Sequence, residues 1–486
     1  MRNLTKPASL LLLVSILASA SACGGGTTAA DTTAADTTTA APETEKPYLD
    51  NLPEKDFGGV PFTILIRETR AAYLVADEEI GEVVNDAIYA RNSGVAERFN
   101  VDFKYVTLPD TAADWNTAIS GDVMSGSGDY DVVMPDYWWG CETHGHFLNL
   151  RSYDHIMDFD APWWYAGWND NAEVNGRLYQ AVGSFSLDTI RLMTCVYVNS
   201  NLANTLKLPD MYQLVRDKAW TFDKMKEYSA MALSDLNGDS AYDIENDRIG
   251  TYFWFQQVRG MMHNFGVQPT TLNAEGKWCF DNFFTDRTAT IYDSLYKFVM
   301  EDKSVIWATN SKNLSAEALS AFKNDSVLFY GGYANSTDSL RDMKGDFQII
   351  PFPMYDKTQE DYVTFNIGTA YIAFTKATKD PEMSATIMEA LNAQSYKSVV
   401  PAYYEDALKG KYSRDSDTAE MLDLISSKMS FDFSFVHTAS VTSVDNKMGD
   451  WITAGSNNLA SLWESFRVSQ ETKMAALYEK FSAIEE

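Results

Sequence analysis

Apolar positions change period repeatedly between residues 58 and 134. Phe62-Thr63-Ile64-Leu65-Ile66, entered through Gly58-Gly59, is a short apolar run that predicts a strand. Val84, Ile88, Val95 and Phe99 then fall at helical spacing, and Glu82 suits a first turn, so a helix is expected over 82–99. Residues 101–106 alternate as a strand does, 111–124 returns to the helical period, and 130–134 is a third strand. Strand-helix-strand-helix-strand is the order of a parallel α/β sheet, whose ligands sit at the carboxyl ends of the strands. The third strand runs straight into Pro135-Asp136-Tyr137-Trp138-Trp139-Gly140.

Beyond this point the pattern is sparser. Strands are expected at 196–198, 327–333, 347–353 and 371–374, with helices around 222–233 and 288–300 and a helical stretch toward Glu486. No fixed-period repeat is present in the body.

The first residues read as an address. Arg2 and Lys6 precede an apolar run over 10–17, which is short of the roughly 20 residues that span a bilayer. Ala18-Ser19-Ala20-Ser21-Ala22 then leads to Cys23. This resembles a bacterial lipoprotein signal, which implies a signal peptide over 1–22 and a lipidated Cys23, with Ala20 standing where that class prefers Leu. The same stretch also suits a plain secretory signal cut near Ala22. No large apolar residue occurs from Gly24 to Lys46, so residues 23–54 are expected to form a Thr/Ala-rich disordered tether. The body is then extracytoplasmic and lipid-anchored to the cell membrane.

Charge narrows the partners. The chain carries 39 basic and 68 acidic residues, a formal net charge of -29. Removing 1–22 takes away Arg2 and Lys6 and no acid, which carries it to -31. Such a chain lacks the basic footprint of a nucleic-acid binder and suits a soluble monomer. Cys141, Cys195 and Cys279 remain, an odd number, so at least one is free or pairs between chains; Cys195, within an apolar run, reads as a buried small hydrophobe.

Several segments together resemble an extracellular solute-binding protein of an ABC importer, of the maltose-binding-like sugar class (family 1). They are Gly128-Asp129-Tyr130-Asp131-Val132-Val133, then Asn175-Gly176-Arg177-Leu178-Tyr179 followed by Val196-Tyr197-Val198-Asn199, then Ala219-Trp220-Thr221-Phe222-Asp223, the run 321–332 and the run 346–353. The resemblance implies a two-lobed α/β fold of periplasmic-binding-protein type, with hinge strands, a ligand cleft and a helical C-terminal region. It implies lobe 1 over 55–184 and 318–372, and lobe 2 over 185–317 and 373–486. It further implies capture of a carbohydrate, an oligosaccharide being favoured, for delivery to an ABC permease, with no enzymatic step and no cofactor. An extracellular glycosidase and a non-transport sensing or adhesion lipoprotein are the alternatives.

Candidate site residues follow from sugar chemistry. Sugars stack C–H faces on aromatic rings and satisfy hydroxyls with polar groups. Asp136, Tyr137, Trp138 and Trp139 at the third strand's end lead, with at most one of the tryptophans facing the cleft. Tyr333 follows by the same strand-end logic, and Arg259 is a candidate donor to hydroxyls. The resemblance adds Trp254 and Trp451. Asp235, Asn237, Asp239 and Asp243 occupy positions 1, 3, 5 and 9 of a calcium loop, although Ser240 stands at the glycine position and Asn246 at the glutamate position. The pattern admits either a structural calcium site or an acidic turn held by Asx hydrogen bonds. Cys141, His144, His146 and His155 have metal-ligand chemistry but no standard zinc spacing. The carboxyl pair of a glycosidase has no sequence spacing to search for.

Overall fold

The computed structural model describes residues 48–308, 315–404 and 416–484. The leader, Cys23 and most of the tether lie outside the described residues.

The first sheet is the one the sequence pattern predicts. Strands β1 (Val60–Arg67), β2 (Val101–Leu108) and β3 (Val132–Val133) are parallel, in the order β2-β1-β3. Phe62, Ile64, Leu65 and Ile66 of β1 are fully buried, as expected for a central parallel strand covered on both faces. The crossovers are the helices Val83–Phe99 and Ala112–Ser125. The first ends at Asn100, left-handed at φ 49°, whose N–H returns to the carbonyls of Ala96 and Glu97, and β2 begins at the next residue. The second starts at Thr111, whose hydroxyl accepts from the Asp114 N–H. Residues 370–375 join this sheet through antiparallel bridges, Asp136 to Ala370, Val133 to Ala373 and Phe147 to Thr375.

The second sheet has five strands: β4 (Thr194–Asn199), β5 (Ile249–Trp254), β6 (Val305–Ala308), β7 (Val327–Tyr333) and β8 (Phe347–Ile350), in the order β8-β4-β7-β5-β6. Strand β4 is antiparallel to both neighbours, while β7, β5 and β6 run parallel. This pairing differs from the lobe boundaries expected from sequence. Strands β7 and β8, within the 318–372 stretch allotted to the first lobe, belong to the second sheet. Residues 373–375 and the helix Pro381–Gln394, allotted to the second, pack with the first sheet and the Val83–Phe99 helix. The physical reason is that β4 pairs with strands more than 120 residues further along the chain, and strand order carries no mark of such long-range partners.

Two segments that connect the lobes lie together among the described residues. Residues 185–194 and 364–370 run side by side, with Met193 bridged to Asn366 and the Thr194 hydroxyl donating to the Phe365 carbonyl at 2.7 Å. Thr364–Phe365 also pairs with Met429–Ser430, and the short helix Phe433–Val436 that follows lies between Ala166–Ala172 of one lobe and Val444–Thr453 of the other. The long helix Leu459–Ala483 packs on Asp286–Met300 in the second lobe and on the Cys141–His144 turn in the first.

Cys141, Cys195 and Cys279 are all unpaired, and Cys195 is fully buried in β4, as the apolar run predicts. Among the described residues no helix is long and apolar enough to cross a membrane.

Candidate ligand cleft

The carboxyl ends of the three parallel strands converge on one charged cluster. Strand β1 ends in Arg67, Asp110 follows β2 and Asp136 follows β3. The Arg67 guanidinium grips Asp110 with two hydrogen bonds, Nε to Oδ1 at 3.2 Å and Nη2 to Oδ2 at 2.9 Å, while Nη1 binds Asp136 Oδ2. The Trp139 ring lies 5.2 Å from the guanidinium carbon and packs, tilted by 38°, against Trp115 at 5.4 Å. Arg67 is thereby fixed in both direction and plane.

A cavity of about 170 Å³ opens beside this cluster, between the lobes. Asp136, Tyr137 and Trp138 line it from the first lobe, Asp188, Phe365, Ile367, Gly368 and Thr369 from the connecting segments, and Gln256, Arg259 and Asn446 from the second lobe. Trp138 keeps 57% of its surface exposed, the most of any tryptophan among the described residues. Residues 137–139 form a single 3-10 turn, so the two tryptophans part, one ring to the cavity and the other to Arg67. Tyr137 is buried, donates its hydroxyl to the Ile367 carbonyl at 3.0 Å and packs on Phe435 at 4.9 Å. Its ring fits because residue 368 is glycine: a Cβ there would sit 2.1 Å from the ring, and φ is +129°.

The electrostatics are those of buried acids held by fixed cations. Burial pushes the Asp136 carboxyl up to about 7, the Arg67 charge opposing it and Asp188 reinforcing it. Asp136 Oδ1 is buried without a hydrogen-bond partner. Asp188, also raised chiefly by burial, pairs with Arg70 at 3.2 Å. Across the cavity Arg259 is anchored by Asp450, with Nε to Oδ1 at 2.8 Å and Nη2 to the same oxygen at 2.7 Å. The helices carrying them, Phe255–Asn264 and Val444–Thr453, approach closely because Gly449 faces Arg259; a Cβ there would lie 2.5 Å from the Arg259 Cα.

The cavity thus brings together Asp136, Tyr137, Trp138 and Arg259 of the residues singled out from sequence. Trp139 lies behind Arg67. Trp254 is the residue before the Phe255–Asn264 helix, its ring against Phe255 at 4.9 Å. The Tyr333 hydroxyl is buried beside Gln257 and near Arg259, and does not line the cavity. Trp451 is buried against Phe466 at 5.3 Å. Arg67, Arg70, Asp188, Gln256 and Asn446 were not singled out; the strand-end rule would have found Arg67, since it closes β1. A larger hollow of about 750 Å³ flanks the C-terminal helix at Trp278 and Tyr478, but none of the residues at the ends of the parallel strands line it.

The calcium reading of the 235–243 loop is corrected by its hydrogen bonds. Asp235 accepts from the N–H groups of Gly238 and Ser240, Asn237 from Asp239, Asp239 from Ala241, and Asp243 from Glu245 and Asn246. These oxygens are turned into their own loop, which is the Asx-turn alternative. Among the described residues no group of three or more acidic, histidine or cysteine side chains could hold a metal ion, Cys141, His144, His146 and His155 included.

No family model and no curated protein sequence matches the chain. Solved structures do match, at low identity. A sugar transporter protein from Rhizobium etli in an open conformation superposes with a TM-score of 0.56 at 14% identity, over 88% of this chain and 100% of that one. The galacto-N-biose/lacto-N-biose I-binding protein of an ABC transporter from Bifidobacterium longum gives 0.54 at 15%, over 85% and 98%. The GacH receptor of Streptomyces glaucescens, solved unliganded and with acarbose, gives 0.52 at 12%, over 88% and 100%. At such identities the likeness speaks for architecture, and the chain has the two-lobed α/β fold of the substrate-binding proteins of ABC transporters.

Proposed function

We propose that this protein captures a carbohydrate between its lobes, without turning it over, and presents it to an ABC permease while tethered to the membrane through a lipidated Cys23. The observation that carries the binding reading is the pairing, in one interlobe cavity, of an exposed Trp138 ring with the unpartnered, buried Oδ1 of Asp136. A flat apolar ring face beside a carboxylate oxygen that lacks a partner matches a sugar's C–H face beside its hydroxyl. Arg259, Gln256 and Asn446 supply further hydrogen-bonding groups from the opposite wall. At about 170 Å³ the cavity is below the usual range of roughly 300–1,000 Å³ for ligand pockets. An oligosaccharide therefore requires the lobes to separate further, by hinge motion at the segments that connect them. The sequence of the leader supports the anchor, and the fold supports the transport setting.

Isothermal titration against mono- and oligosaccharides, polyols and peptides tests the reading. Saturable binding of a sugar is expected, with Trp138→Ala lowering affinity at least about tenfold, as loss of a stacking contact of about 1.5 kcal/mol would. Because Trp138 is exposed, the same change should leave the melting temperature nearly unaltered. Binding only of peptides, or an unchanged affinity in the variant, would defeat the assignment, and release of shorter sugars during incubation would replace capture with hydrolysis.

A further inference from the structure

His263 and Asp445 face each other across the contact between the Phe255–Asn264 and Val444–Thr453 helices. Both are fully buried, with Nδ1 3.4 Å from Oδ2. Neither ring nitrogen and neither carboxylate oxygen has a hydrogen-bond partner beyond this contact. The other charged group facing the pair is Asp432, which caps the short helix Phe433–Val436. Its carboxylate is taken up by the N–H groups and hydroxyls of Thr270 and Ser434. The imidazole also lies 5.3 Å from the Phe365 ring, which lines the cavity. The pair therefore sits directly behind the second-lobe wall of the cleft.

A buried ion pair without supporting hydrogen bonds adds little net stability, but breaking it leaves an uncompensated charge. Its effect lies in the arrangement it selects. Burial alone would strip the proton from His263; the Asp445 carboxylate, with Asp432 behind it, outweighs burial and raises the imidazole above its ordinary value. Burial pushes the Asp445 carboxyl up to about 6. Both groups are raised, so the folded arrangement holds more protons than the unfolded chain. The stabilisation is complete below the unfolded values and is lost as pH rises, through about 6 for Asp445 and above the ordinary histidine value for His263.

We propose that His263 and Asp445 are positioning residues of the cleft: protons held by the pair clamp the two helices that carry Gln256, Arg259 and Asn446, and their loss loosens that wall. That the wall contacts a ligand rests on the carbohydrate reading; the clamp itself does not.

Hydrogen exchange on the full chain, corrected for intrinsic rates, tests the clamp without any ligand. Between pH 6 and 8 the protection of 255–264 and 444–453 should fall by up to about tenfold per pH unit, while the Val83–Phe99 helix in the first lobe shows a smaller slope. In His263→Asn and Asp445→Asn the steeper slope should disappear. If a variant does not fold, NMR titration of the wild-type imidazoles decides, since the chain has only 5 histidines. His263 should keep its proton to a pH above about 6.5. An assigned His263 signal titrating below that value, or equal slopes in all three helices, overturns the proposal; His437, the other buried imidazole, is lowered to about 3 by burial and does not bear on it. If the slope appears but no sugar binds at any pH, the clamp stands and the carbohydrate reading falls.

Discussion

The two walls of the cleft use similar residues and build them differently. On the first-lobe wall Arg67, Asp110 and Asp136 come from three strand ends, and Arg67 and Asp136 are nearly excluded from water, with side-chain exposures of 8% and 9%. On the second-lobe wall Arg259 and Asp450 sit on two packed helices and remain 24% and 41% exposed. That wall keeps its deepest charges, His263 and Asp445, one layer behind the surface. An arginine-aspartate pair in the first wall thus fixes structure and presents an acceptor, whereas in the second it orients a donor over a support whose charge depends on pH.

Removing the arginine from each wall separates these roles. Arg67→Ala leaves Asp136 buried and unpaired, and withdraws both hydrogen bonds from Asp110 and the cation from Trp139. Loss of one partner of a buried pair costs about 3–5 kcal/mol, so chemical denaturation should show a loss of that size. Arg259→Ala breaks a partly solvated pair and should cost no more than about 1 kcal/mol, with its effect in ligand affinity. Equal losses from the two variants would show that the walls are built alike.

The helix contact behind the second wall gives the next largest effect. Gly449→Ala inserts a methyl 2.5 Å from the Arg259 Cα, where backbone has to move. Overpacking of this kind costs about 1–3 kcal/mol, and here it should also displace the Arg259 guanidinium. A stable variant with wild-type affinity would mean that the spacing of these helices does not position the wall.

The first wall was largely legible in the sequence and the second was not. Alternating periods over 58–134 give the β2-β1-β3 sheet, and the strand-end rule leads to Asp136 and Trp138. The same rule applies to Arg67, but what makes Arg67 matter is its meeting with Asp110 and Asp136, 43 and 69 residues away, and spacing does not encode that. Arg259 was found, yet Gln256 and Asn446 carry no local signature. Trp451, Trp254 and Tyr333 have suitable rings at plausible places and are turned away from the cavity, because ring direction is set by neighbours such as Phe466 and Phe255. The lobe boundaries failed for the same reason, since β4 takes partners from beyond residue 326. Trp163 and Trp164 are a second adjacent pair whose rings are turned inward: both indoles donate to the buried Glu389, at 3.0 and 2.8 Å.

The smallest expected effect belongs to the 235–243 loop, far from either wall in chemistry. If its acids bound calcium, chelation would lower the melting temperature by the linkage between binding and folding, since an ion held only by the folded state stabilises it. The hydrogen bonds argue otherwise. Asp235 spends both oxygens on the N–H groups of Gly238 and Ser240, at 2.6 and 2.9 Å, and Asp243 Oδ1 takes Glu245 and Asn246 at 2.9 and 2.8 Å. A cation would have to displace these bonds, which already satisfy the turn. Melting curves with calcium and with a chelator should therefore coincide, and Asp239→Ala should behave as an exposed surface change within about 0.5 kcal/mol. A calcium-dependent rise in melting temperature would show instead that the loop rearranges around an ion and gives up its Asx turns to do so.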